Sequence, residues 1–146
     1  MLKKLPHLLN AALGLALTLT PFCLFPVCGG TQPDGSPMSC WYSGVLIAGL
    51  GAVALILSLL GMWIRVLSIP SWIASSFAAL LCWLIPNGIV RVDLFAFGLC
   101  GDAEHACRAV TMPAVGAFAV AVVLVSVVGL ILNFVGGNVP RGEGKP

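Results

Sequence analysis

The chain alternates between long apolar runs and short polar islands. Four runs stand out: Leu8 to Val27, Gly44 to Ile64, Ile69 to Val90 and Met112 to Val135. Each is close to the roughly 20 residues that carry a helix across a bilayer. Backbone groups inside lipid must bond within their own segment, and the runs are too long for tilted strands, so each run is predicted to be a helix. The islands are unequal. Residues 65–68 leave room only for a tight turn, whereas residues 28–43 and 91–111 form two longer loops. Each loop holds two cysteines, Cys28 with Cys40 and Cys100 with Cys107. The pattern predicts an all-α polytopic membrane protein with one domain over residues 1–146. It is a four-transmembrane-helix bundle made of two helical hairpins with cysteine-containing outer loops.

Local signals refine the four helices. Pro21 is expected to kink or end the first, since its ring fits poorly inside a helix. Small residues at Gly44, Ala48 and Ala52 line one side of the second and invite close approach of another backbone. Trp41 and Tyr42 at one end of that helix and Trp63 at the other read as headgroup anchors. The third carries Trp72, Ser75, Ala79, Cys82 and Pro86 at near-helical spacing and is expected to loosen at Pro86-Asn87-Gly88. Leu94 to Leu99 is apolar but too short to span. Thr111 can cap the fourth helix, with Pro113 tolerated in its first turn. Val120 to Val128 is smooth and β-branched, as suits a lipid-facing position, with Ser126 and Asn133 as the helix's polar exceptions. His7 reads as a polar residue at the water boundary.

Composition agrees with lipid as the solvent: 60% of residues are hydrophobic and 8% charged, against about 25% charged in a typical soluble domain. The distribution of charge sets orientation. Lys3, Lys4, Arg65, Arg141 and Lys145 all fall on one side, and only Arg91 and Arg108 on the other, so both termini are expected to be cytoplasmic. The first run also resembles a secretory signal. No small-x-small cleavage site follows it, Phe22 is wrong for a lipoprotein box, and it is expected to remain as a helix. The bilayer, other membrane subunits or a second copy are the expected partners; no nucleic acid and no cofactor are expected.

The chemistry then rests on the loops. Facing an oxidising compartment, Cys28, Cys40, Cys100 and Cys107 are expected to form structural disulfides. Four cysteines allow three connectivities. The repeated plan favours pairing within each loop, each pair restricting the unfolded chain by about 2.5 to 3 kcal/mol. Cys23 and Cys82 are expected to be buried thiols. The redox alternative uses the same four cysteines for thiol-disulfide exchange linked to a quinone, a layout shared with the bacterial membrane disulfide oxidases. Those enzymes carry a close Cys-x-x-Cys, which lowers a thiol pKa; the pairs here are twelve and seven residues apart. A metal alternative gathers Cys100, His105 and Cys107, with Asp102, Glu104 or Cys40 to complete a set, but lacks tight paired spacing. No Asp, Glu, Lys or Arg lies in a predicted span, which argues against an ion-coupled transporter. No glycine loop of the phosphate-cradling kind occurs either. A lipid or small-molecule carrier would rest only on the loosened region at Pro86 and Asn87.

One order of residues carries a resemblance: Cys28, then Met38-Ser-Cys40-Trp-Tyr-Ser, a glycine-rich helix, Leu84-Ile-Pro86, then Cys100 and Cys107 followed by Thr111-x-Pro113. It resembles the domain-of-unknown-function family 4418, small four-helix bacterial membrane proteins with no established activity. In that family a basic residue and often a histidine flank the cysteine matching Cys40. Here Ser39 and Trp41 stand there, which puts a histidine metal site in doubt. The resemblance implies a bacterial inner membrane and a place beside a transporter. The expectation is a non-enzymatic accessory protein with disulfide-stabilised extracytoplasmic loops.

Overall fold

The computed structural model describes residues 4–27, 35, 37–89 and 107–137. Four helices make up most of it: α1, Leu5–Leu19; α2, Ser39–Trp63; α3, Ser68–Leu84; and α4, Met112–Gly137. No β-strand occurs among the described residues. The segments Leu5–Leu24, Ser39–Trp63 and Cys107–Val135 are long and apolar enough to cross a membrane, while α3 is a shorter apolar helix.

Proline explains where the helices change character. After α1 the chain winds into one wide π turn over Thr20–Leu24, with the Phe25 amide donating to the Thr20 carbonyl at 2.8 Å. Pro21 has no amide to give to Leu17, and widening the turn accommodates its ring. Near Pro86 α3 closes rather than unravels. Gly88, at φ +72°, donates to the Ile85 carbonyl at 3.0 Å, and Ile89 donates to Leu84 at 3.2 Å. These two bonds form a Schellman closure, in which glycine takes the left-handed position that other residues avoid. The Asn87 side-chain amide donates a further hydrogen bond to the Trp83 carbonyl at 2.7 Å.

The helices form a closed ring in which α1 packs on α2 and α4, and α3 packs on α2 and α4. Ring neighbours run antiparallel. Asn10 meets Ser58, Gly14 meets Gly51 and Leu55, and Pro21 meets Gly44. On the other side Asn133 meets Ser68, and Trp72 and Trp83 meet Gly129 and Gly116. The bundle thus has a turn end, where Arg65–Leu67 joins α2 to α3, and a cysteine end, where α2 begins and α4 is entered.

The side-chain distribution is inverted relative to a water-soluble bundle. Leu8, Leu15, Val53, Ile56, Ile73, Phe77, Val120, Leu124 and Ile131 point outward. Inside lie mostly small or polar residues, with one apolar cluster of Leu17, Ile47, Ala79, Cys82, Met112, Val115, Ala119 and Val122. Helices in lipid gain nothing by hiding leucine from lipid, so close packing and internal hydrogen bonds select what faces inward.

Several expectations change here. The closely packed line on α2 is Gly44, Ile47, Gly51, Ala54, Ser58 and Gly61, with Ala48 and Ala52 only half-buried. Uniform steps of four drift around a helix of 3.6 residues per turn, whereas alternating steps of three and four hold one side. The closest backbone-to-backbone approach is Gly14 on Gly51: a Cβ on Gly51 would lie 2.7 Å from the Thr18 nitrogen, and one on Gly14 2.8 Å from the Leu55 nitrogen. Val120 to Val128 is not uniformly outward, since Val122 and Ser126 are buried. Cys23 is exposed while Cys82 is buried. Pro21 is buried in the π turn, where it packs against the Gly44 position, and the residues after it turn outward.

Candidate functional site

At the cysteine end, three segments converge. The π turn after α1 lays Phe22 edge-on to Trp41 of α2, with ring centroids 5.2 Å apart. The π turn Cys107–Thr111 leads into α4, and the Thr111 hydroxyl donates to the Phe25 carbonyl at 3.1 Å, across 86 residues of chain. The hydroxyl expected to cap α4 therefore ties α4 to the segment after α1. Cys40 and Cys107 both sit at this end, each only 1% exposed. Below them the Cys82 thiol lies 3.8 Å from the Ile47 carbonyl.

Of the predicted site residues, Cys28, Cys100 and His105, with Asp102 and Glu104, lie outside the described residues. Among the described residues no two cysteines are joined in a disulfide, and no three His, Cys, Asp or Glu side chains gather as a metal site would require. What the structure does bring together is one cysteine from each predicted loop, Cys40 and Cys107, on the same end of the ring. Their burial matters chemically, because a thiol must be reached to exchange with a disulfide.

The second concentration of chemistry lies toward the turn end and is polar. His7 on α1 is buried and stacks on Trp72 of α3, with ring centroids 4.1 Å apart and 26° between planes. Its ring is turned into the bundle, 6% exposed, close to the turn end. Two glycines make this possible: a side chain at Gly61 would strike Ser71 and His7, and one at Gly129 would lie 2.6 Å from Cζ2 of Trp72. Asn133 of α4 donates to the Ser68 hydroxyl at 2.7 Å, and the same hydroxyl lies 3.3 Å from Nε2 of His7. Because Ser68 accepts from Asn133, its own proton is available for Nε2.

Three residues further into the bundle on each helix comes a second polar level. Asn10 follows His7, Ser58 precedes Gly61, Ser75 follows Trp72 and Ser126 precedes Gly129. All four are buried. Asn10 donates to Ser58 at 2.9 Å, and Ser58 donates to the Ala54 carbonyl one turn away at 2.8 Å. The usual refuge of a serine inside a helix is such a bond to the preceding turn. Ser75 and Ser126 do not take it. Among the described residues their hydroxyls have no hydrogen-bond partner, and neither do Asn10 Oδ1, His7 Nδ1 and Trp72 Nε1.

A protein-family model matches residues 10–132, most of the chain and a part of every helix. The chain belongs to the family described as Domain of unknown function (DUF4418). The DUF4418 match takes in the cysteine end and the Asn10, Ser58, Ser75 and Ser126 level, while His7 and Asn133 fall just outside it. Searches of the curated proteins and of the solved structures find no match to the chain.

The polar level was only partly legible in the sequence. Ser126 and Asn133 stood out there as polar exceptions and Ser75 as one of a near-helically spaced row, and Asn10 and Ser58 carried no expectation. The signal that would have joined them is their spacing relative to the small residues. Each falls in step with His7, Gly61, Trp72 or Gly129, so that once the ring is antiparallel they share one depth.

Proposed function

We propose that this DUF4418 protein is a non-enzymatic accessory subunit of a bacterial inner membrane, with all four helices crossing the bilayer. The observation that carries this reading is the inverted side-chain distribution: large apolar residues face outward on every helix, α3 included. With its closing turn, α3 reaches from Ser68 to Asn87, about 30 Å at a helical rise of 1.5 Å per residue, enough for the hydrocarbon core. Lys/Arg placement puts both termini and the Arg65–Leu67 turn in the cytoplasm and both cysteine loops outside. There Cys28, Cys40, Cys100 and Cys107 form structural disulfides. The long outward apolar faces pack against lipid and against other membrane subunits or a second copy.

Two experiments bear on this. Single cysteines introduced at Asp34 and at Val66 should label from opposite sides of intact cells, residue 34 from outside. Labelling from one side, or with the sides reversed, overturns the layout. Purification in mild detergent should yield a stoichiometric membrane partner or a dimer, and a monodisperse monomer without partner removes the accessory role. The convergence of Cys40 and Cys107 on one end supports a second reading, quinone-linked thiol exchange. That reading requires a mixed disulfide to accumulate when one cysteine of a pair is replaced by serine. The burial of both thiols favours inert pairs over labile ones.

A further inference from the structure

We infer that the interior level formed by Asn10, Ser58, Ser75 and Ser126, together with His7 and Trp72 above it, is a binding site for a small uncharged molecule that both donates and accepts hydrogen bonds. The first observation is burial without partners. His7 is 6% exposed, Asn10 and Trp72 1%, and Ser75 and Ser126 0%, yet one polar atom of each has no partner among the described residues. Orphaned polar groups are costly anywhere, and inside a bilayer no solvent is at hand to receive them. Five such atoms from three helices, α1, α3 and α4, at two adjoining levels are better explained by a shared ligand than by five separate defects.

The atoms themselves define its chemistry. Trp72 Nε1 can only donate and Asn10 Oδ1 can only accept, while the hydroxyls of Ser75 and Ser126 do either. A ligand touching both extremes must therefore accept and donate. It must also be neutral. The buried polar residues of the described helices toward this end are His7, Asn10, Ser58, Ser71, Ser75 and Ser126. No carboxylate, lysine or arginine is among them, so a buried ion would lack a counter-charge. Water satisfies every condition, and buried waters ordinarily make about three hydrogen bonds to groups of this kind. A short polyol carries the same chemistry in a larger frame. The side nearest solvent is the turn end, where Asn133 is exposed and Ser68 half-buried. In the other direction Leu17, Ile47, Val115 and Val122 close the interior.

The test uses the full chain in lipid nanodiscs with 15N-labelled tryptophan, measuring magnetisation transfer from water to each indole N–H by solid-state NMR. Trp72→Phe assigns the buried indole by subtraction. The expected result is transfer to Trp72 as well as to the exposed Trp41 and Trp63, with loss of the Trp72 transfer alone in Ser75→Ala, Ser126→Ala or both. Unchanged Trp41 and Trp63 signals show that the variants are folded. Absence of transfer at Trp72 in the unaltered protein, or transfer that survives the double substitution, overturns the site. Titrated glycerol then distinguishes occupants, since attenuation at Trp72 marks a site of polyol size and persistence marks one that holds water; both uphold the uncharged donor-acceptor assignment.

Discussion

Gly49 and Gly51 lie two residues apart on α2 and offer a matched pair of perturbations. A Cβ at Gly49 meets nothing within 4 Å, whereas one at Gly51 would lie 2.7 Å from the backbone nitrogen of Thr18 and 3.0 Å from Cβ of Leu17. Replacing glycine by alanine in a helix interior gains about 1 kcal/mol from backbone entropy alone. That gain is common to both substitutions. The difference between them therefore isolates the cost of forcing α1 from α2, which must open by several tenths of an ångström to restore ordinary contact. Overpacking of this kind costs about 1 to 3 kcal/mol. Gly49→Ala is accordingly expected to stabilise by up to about 1 kcal/mol, and Gly51→Ala to fall below it by about 1 to 3 kcal/mol. The assay is reversible unfolding in mixed micelles, followed by far-ultraviolet circular dichroism, for both variants under one lipid-to-detergent ratio. Equal shifts for the two would show that α1 does not cross α2 at Gly14 and Gly51, and the antiparallel pairing built on that crossing would fail with it.

Other substitutions probe the remaining contacts. A double-mutant cycle on Asn10→Ala and Ser58→Ala should give a coupling energy of about 0.6 to 1.7 kcal/mol, the range measured for hydrogen bonds between membrane helices; additivity within error would remove the bond. Trp72→Ala should cost about 3 to 5 kcal/mol as a buried aromatic truncation, and Gly129→Ala should blue- or red-shift Trp72 emission by displacing the indole, an effect absent if α4 passes elsewhere. Thr111→Val should lower stability by about 1 kcal/mol through loss of its bond to Phe25. An unchanged unfolding midpoint in Thr111→Val would detach α4 from the segment following α1.

What could be read from the chain alone was set by which physical effect dominates at each place. The apolar runs are long, and lipid leaves a backbone little choice but helix, so helix type and number followed from composition and length. Boundaries followed less well. α2 begins at Ser39, five residues ahead of the apolar run, because Cys40 and Ser43 are interior positions and a helix end is set by packing as well as hydropathy. Pro21 and Pro86 announced changes whose forms, a π turn and a Schellman closure, depend on neighbours: the burial of Pro21 against Gly44 and the freedom of Gly88. The burial of His7 was missed for a different reason. A histidine next to lysines at the start of a run reads as solvated until Gly61 and Gly129 are seen to open a space that admits Trp72 beneath it. The disulfide and metal expectations concern residues of which Cys28, Cys100 and His105 lie outside the described stretch, so only the burial and common location of Cys40 and Cys107 bear on them.

The two halves of the bundle are held by different forces, and this division links the packing to the chemistry. Toward the cysteine end an apolar cluster that includes Leu17, Ile47, Cys82 and Val115 lies beside buried Thr20, Ser43 and Thr111, and the Thr111 bond to Phe25 adds to packing in fixing the helices. Toward the turn end the interior consists of serines, Asn10, His7 and the indole of Trp72, and the helices there are fixed by hydrogen bonds. A bond such as Asn10 to Ser58 is worth about 1 kcal/mol, and each orphaned buried group costs about as much or more. The polar half therefore depends more than the other on its unpartnered atoms acquiring partners. The loop disulfides proposed above would reinforce the cysteine end. The turn end has its short 3₁₀ connection, the Asn133 to Ser68 and Asn10 to Ser58 hydrogen bonds and the molecule proposed above to complete the polar level. If that dependence holds, disulfide reduction should leave the α1 to α4 ring intact, and emptying the polar level should loosen the turn end first.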